Sequence, residues 1–202
     1  MAEPRHHGAG TVSTEGQLSE NLKEILSGFA GKAILSGGLW SLLAPTYNTP
    51  TVYINEDTII STITVQTRLP KRDRFNVIKG VYTAQINDFQ PSDYPSLTDN
   101  TGITDDLERL EFDYDLNFTD RPYTAQRIAK IELKKARQQI VVKFRCTLHA
   151  MQLQVGSTCY LSLERMGWIN KVFEVTEFRF VLLGDENSPY LGVELSLRET
   201  AS

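Results

Sequence analysis

The stretch KVFEVTEFRFVLL, residues 171–183, decides the fold. Phe173 and Val175 stand at odd positions, whereas Phe178, Phe180 and Leu182 stand at even ones. Successive side chains of a strand point to opposite faces, so each run on its own marks a strand with one buried face. The parity flips across Thr176-Glu177. One extra residue in a strand swaps which face is buried, so the spacing predicts a β-bulge there.

Working outward, Leu191, Val193, Leu195 and Leu197 alternate after a turn over residues 184–189. Upstream, Val155, Ser157, Cys159, Leu161 and Leu163 line one strand face. Ile140, Val142, Phe144, Cys146 and Leu148 line another. Strands in succession with short connections predict antiparallel pairing. Cys146 and Cys159 fall on apolar faces; as cross-strand neighbours they allow a disulfide, but buried free thiols are the reading preferred. His149 reads as an exposed strand histidine without a local partner.

A helix precedes these strands. Asp120 has the side chain to cap it and Pro122 suits its first turn. Ala125, Ile128, Ala129, Leu133, Ala136 and Ile140 share one face, and Arg127, Lys130, Lys134 and Arg137 the opposite one. This is a long amphipathic helix near 121–138. Glu132 falls inside the apolar arc, either paired with a base or facing a subunit contact.

The first half is less regular. Thr14 and Gln17 have capping-box spacing, and Leu18, Leu22, Ile25, Leu26 and Phe29 follow as a helical stripe with Gly28 and Gly31 as the stop. Two apolar runs around Gly37-Gly38 read as a hairpin. Residues 63–69 alternate as a strand, residues 75–82 as a second, and residues 110–118 as a third with acids on its wet face. Pro91 and Pro95 remove ladder donors, so residues 87–104 read as a long loop. Its aromatics, Phe89 and Tyr94, suggest a carbohydrate-stacking rim or a stiff connector that docks on a neighbour. The connector is preferred, with both rings at least partly buried once copies assemble.

The predicted class is α+β: antiparallel β-rich domains, barrel-like in part, with one N-terminal and one long amphipathic helix. The expected segments are 1–12 as a flexible start or tag, 13–49 as helix plus hairpin, 50–120 as a β-rich domain, and 121–202 as helix plus antiparallel strands.

At 202 residues and net charge −4, general nucleic-acid binding is disfavoured. The charge is nonetheless segregated. Residues 104–120 carry seven acids against Arg109, and residues 121–145 carry eight bases against Glu132. Such blocks read as complementary subunit surfaces or as two solvated faces. From them come the candidate subunit contacts Asp113, Asp115, Arg127, Lys130, Lys134 and Arg137, beside Phe89 and Tyr94. Two cysteines and three histidines supply neither a zinc pattern nor a nucleophile motif. Glu111, Asp113 and Asp115 admit a glycosidase-type carboxylate pair but look like a solvated strand face. No apolar run reaches the ~20 residues of a membrane helix, and the first ten residues do not form a secretory signal. No catalytic residue, cofactor, metal or small-molecule ligand is expected, nor specific nucleic acid or membrane insertion.

Several stretches together resemble the tail tip attachment protein of long-tailed bacteriophages, the J-type host specificity or central tail fibre protein. They are LSENLKEILSGFAGKAILSGGLW, ITVQTRLPKRDRFNVIKGVYTAQINDFQPSDYPSL, TAQRIAKIELKKARQQIVVKF, LQVGSTCYLSLERMGWINKVFEVTEF and LGVELSLRETAS, in the family's order from about Val12 onward. Pro45 stands where a small residue is expected, and the first ten residues do not match. The resemblance implies a baseplate-hub fold, a homo-trimer around the tail axis, other tail tip proteins as partners, and a role in tail assembly and adsorption without enzyme activity. It implies a location in the virion tail tip after synthesis in the bacterial cytoplasm. Family members are longer, so the chain is expected to be an internal hub segment, from a truncated prophage gene or cut from a longer protein. The alternatives are a tail-associated cell-wall hydrolase fragment and a nucleic-acid contact through the basic helix face.

Overall fold

A computed structural model describes residues 7–36, 38–46, 48–184 and 189–200. In chain order its elements are α1 (Leu18–Ser27), β1 (Lys32–Ser36), β2 (Leu39–Leu43), β3 (Val52–Ile54), β4 (Thr64–Gln66), β5 (Val77–Lys79), β6 (Val81–Ala84), β7 (Gln90–Asp93) and β8 (Leu97–Thr98). Then follow α2 (Asn100–Asp106), β9 (Glu111–Asp113), α3 (Pro122–Arg137), β10 (Val141–Cys146), β11 (Thr158–Leu163), β12 (Trp168–Leu183) and β13 (Tyr190–Glu199). The class is α+β. The chain forms two compact units: the first holds the described residues of 1–33, 42–45 and 71–137, the second those of 34–41, 46–70 and 138–202.

This division differs from the expected segments at 120/121. The buried face of α3, with Ala125, Ile128, Ala129 and Leu133, packs in one cluster with Ile78, Tyr82, Ala84, Tyr94 and Leu116. The helix is therefore grouped with the residues before it, and the break follows Arg137.

The second unit is one open sheet in the order β3-β11-β12-β13-β10-β4. Its ends are not joined, so it is not a barrel, and its core is formed by the alternation read from sequence. Val142, Phe144, Cys146, Cys159, Leu161, Leu163, Phe173, Val175, Val193, Leu195 and Leu197 are all buried together. The register of β12 on β13 shifts between Val175 and Glu177, the bulge that the parity flip predicts. The extra residue, Thr176, uses its hydroxyl to donate to the Ser196 carbonyl at 2.9 Å. Beyond the bulge the core face runs past the core: Phe178 packs against it, but Phe180 and Leu182 are exposed. Pairing is antiparallel except for β3, which lies parallel to β11. The strand read over 63–69 shrinks to β4, on the sheet edge.

The first unit holds a three-stranded sheet, β8-β5-β9, and a two-stranded one, β6-β7. Residues 75–82 form two strands rather than one, because Gly80 breaks them. A Cβ at Gly80 would lie 2.2 Å from the Tyr114 carbonyl oxygen. The close approach lets Tyr114 N–H donate to Lys79 O at 2.7 Å and Leu116 N–H to Val81 O at 2.8 Å. The expected loop over 87–104 is instead largely regular: β7, β8 and α2 lie in it. Pro91 sits in β7 opposite Thr83, in a two-stranded pair where its missing N–H breaks no second ladder. The strand read over 110–118 is only β9, which runs parallel to β5. Leu116 returns to the core, fully buried, and Tyr114 packs partly buried against the same cluster.

Helix ends show two further differences. The Thr14–Gln17 capping box does not form; α1 starts after Gln17, whose side chain makes no cap bond. At the other end, Ala30 takes the left-handed conformation (φ 53°) expected of glycine. Gly31 N–H then closes the turn on Leu26 O at 2.9 Å. The helix α3 begins at Pro122, and the buried Asp120 carboxylate just before it lies 2.9 Å from His7 Nδ1. Among the described residues, no helix is long and apolar enough to cross a membrane.

Candidate functional site

The two charge blocks meet within the first unit. The Asp106 side chain, 4% exposed, accepts from Arg74 Nη1 at 3.0 Å and Arg137 Nη1 at 2.5 Å. Asn76, fully buried, adds Nδ2 at 3.3 Å and ties the same loop down by donating to Glu108 O and accepting from Leu110 N–H. Arg137 also lies 3.6 Å from carboxylate oxygens of Asp99 and Asp105. Burial by itself raises the Asp106 pKa. The hydrogen bond and charge of Arg137, then Asn76 and Arg74, outweigh it and hold the carboxyl below its usual range. Sequence placed Arg137 on an outward basic face. Here it closes the loop over α2 onto α3, so its charge is matched within the chain.

The remaining acids stay on the surface. Glu111 is bound by Lys79 Nζ and Arg109 Nε, each at 2.7 Å. The Lys79 hydrogen bond, with that of Arg109 after it, lowers its pKa, the wrong direction for the general acid of a glycosidase. Asp113 is exposed, with Lys79 at 3.8 Å. Asp115 is exposed and accepts from Val81 N–H at 3.3 Å. Asp93 faces Val81 in the β6–β7 ladder, so Asp93 and Asp115 flank one residue.

The aromatic pair separates. Tyr94 is 3% exposed and its hydroxyl donates to Tyr114 O at 2.9 Å. Burial, with Asp115 beyond it, pushes that hydroxyl's pKa up. The ring is spent inside the unit, not offered outward. Phe89 is half-exposed on the β6–β7 turn. Asp88 and Phe89 both have left-handed backbone, φ 53° and 59°. A turn of this kind takes Asn-Gly readily, whereas a bulky residue there costs on the order of 1 kcal/mol. Ile86, on the same turn, is 89% exposed. Sequence reading missed Ile86; the signal was an isoleucine between the polar Gln85 and Asn87, just before the segment read as loop.

On α3, Lys130 and Lys134 are exposed and Arg127 half-buried. Tyr123, 69% exposed, stands one turn before Arg127 and completes the stripe. Glu132 resolves its own mismatch: Lys135 Nζ lies 2.6 Å from it. Burial first, and the Glu132 charge second, raise the Tyr114 hydroxyl's pKa to about 12.

The other sequence candidates have structural places. His149 lies not in a strand but in the 3₁₀ turn Leu148–Gln152, with Nε2 3.2 Å from Tyr53 O. Cys146 and Cys159 are buried free thiols. They are not sheet neighbours, because β12 and β13 separate β10 from β11. Burial lifts Cys146 to about 11, and burial with Cys146 nearby lifts Cys159 to about 12. Residues 7–10 lie along Phe118, with Ala9 N–H donating to Phe118 O at 3.2 Å. With Ile25, Gly28 and Phe29 they line a groove of about 480 Å³. Among the described residues no cluster of His, Cys, Asp and Glu is arranged to hold a metal.

No protein-family model matches the chain. No curated protein matches it either. Solved structures do. A chain of the virion of a native gene transfer agent particle superposes with TM-score 0.71 at 10% identity, over 95% of this chain and 41% of its own. The 43 kDa tail protein of prophage MuSo2 from Shewanella oneidensis gives TM-score 0.56 at 12% identity, over 93% of this chain and 52% of its own. The prophage tail protein gp18 from Listeria monocytogenes gives 0.46 at 12% identity, over 92% and 53%. At such identities the likeness is one of fold. The chain spans about half the length of these proteins or less.

Proposed function

We propose that this chain is a structural component of a bacteriophage or prophage tail. Within the tail it belongs to the tip or baseplate hub, as part of a host-attachment protein of the J type, acting in assembly and adsorption. It works there as a homo-trimer beside other tail tip proteins, after synthesis in the host cytoplasm. The observation that carries this reading is the TM-score of 0.71 over 95% of the chain to a virion protein. The likeness to a prophage tail protein adds to it. It arises from backbone geometry, while the J-type resemblance arises from residues, so two unlike observations agree. What the surface offers is contact, not chemistry: ion pairs closed within the chain, an apolar turn tip and a cationic helix stripe. Antibodies raised against the chain, applied with gold to purified particles of the producing strain, test it. Gold at one end of the tail is the expected result; particles without gold overturn it.

A further inference from the structure

The clamp withdraws Asp106 and Arg137 from the surface of the first unit. What remains is two unlike patches. One follows the β6–β7 hairpin: Asp88 at its tip and Asp93 beside Asp115 at its base, with Asp113 two residues before Asp115 and 3.8 Å from Lys79, and no Lys or Arg anywhere in residues 85–93. Phe89 and Ile86 are exposed at that tip, Phe89 on left-handed backbone that glycine would occupy with less strain. The other patch is the outer stripe of α3. Tyr123, Lys130 and Lys134 recur at spacings of seven and four, which places them on one helical face. That face is opposite the one buried with Ala125, Ile128, Ala129 and Leu133.

We propose that these patches are the two halves of a head-to-tail contact between copies of this chain. The acidic hairpin of one copy seats on the α3 stripe of the next, with Phe89 and Ile86 against Tyr123 and the lysine stems and the hairpin carboxylates facing Lys130 and Lys134. Charge complementarity identifies the occupant as a second copy: one compact unit carries both the acidic hairpin and the basic helix stripe. A contact between unlike surfaces repeats from copy to copy and closes a ring when its rotation allows. Local strain at Asp88-Phe89 is the kind of feature held in place for a contact rather than for folding. Lysine stems cover apolar surface while their charged ends reach the carboxylates.

The proposal rests on the reading of the chain as an assembly component. Its test is made in solution on the purified chain, so its failure and the failure of gold labelling are separate results. Sedimentation velocity in low salt is expected to show association that weakens as salt rises. Asp93→Lys with Asp113→Lys weakens it by about tenfold or more, and so does Lys130→Glu with Lys134→Glu. All four substitutions in one chain reverse both halves and restore it. Phe89→Gly relieves the left-handed strain, so its thermal midpoint holds or rises while association is lost; this variant decides the question even if the charge variants fold poorly. A wild-type chain that stays monomeric at high concentration in low salt overturns the proposal. So does a folded four-fold variant that fails to reassociate, or a Phe89→Gly chain that associates as wild type does.

Discussion

At the scale of single residues, the Asp106 clamp carries the sharpest expectations. Removing one partner of a buried ion pair leaves the other charge uncompensated, so Arg137→Ala or Asp106→Ala costs about 3 kcal/mol in thermal or urea unfolding. The pH dependence follows from the lowered pKa of Asp106. Its contribution is fully present above the unfolded carboxyl's value of 3.8 and is lost as pH falls through the lower folded value. The wild-type chain therefore loses more stability than Asp106→Asn as pH is taken from neutral to below 3.8, measured by urea unfolding at each pH. Gly80→Ala is expected to cost about 2 kcal/mol or more, since its Cβ meets the Tyr114 carbonyl at 2.2 Å and backbone must move. Neither site was legible in the sequence. The bases of residues 121–145 and the acids of residues 104–120 are visible as blocks, but which of them pair depends on Asn76 pinning the loop, a contact with no periodic signature.

At the scale of elements, alternation served well wherever a strand has one face on a core. The bulge at Thr176, the buried faces of β10, β11 and β13 and the span of α3 all follow from it. It failed where a strand is short or runs beyond the core: β7 and β8 are too brief to show a period, and the even face of β12 continues over Phe180 and Leu182 after the core has ended. Deleting Thr176 returns β12 to a uniform two-residue period and a continuous register on β13, with Phe173, Val175 and Phe178 still on the core face. That variant is expected to lose only the Thr176–Ser196 hydrogen bond and to keep cooperative unfolding of the second unit, followed by hydrogen exchange at Phe173 and Val193; loss of protection there would contradict the bulge reading. The same sheet shields the thiols. With pKa values raised to about 11 and about 12, Cys146 and Cys159 hold almost no thiolate near neutral pH. Ellman's reagent is expected to find neither in the native chain and both in denaturant; fast native reaction would contradict their burial.

At the scale of the whole molecule, the fold class was readable but the unit boundary was not. The break after Arg137 is invisible in composition because α3 and β10 follow each other with only residues 138–140 between them. What assigns α3 to the first unit is the buried face with the small residues Ala125 and Ala129, which allows close approach to strands distant in sequence. The proposed tail role draws on the resemblance carried by five separate stretches; the backbone geometry shared at 10% identity with a virion protein is a likeness of fold. The central claim is membership of the tail itself. Cryo-electron microscopy of purified particles from the producing strain tests this most directly. The account predicts tip density that accommodates both units of this chain in three symmetric copies. A complete tail reconstruction that leaves no density for either unit would contradict it.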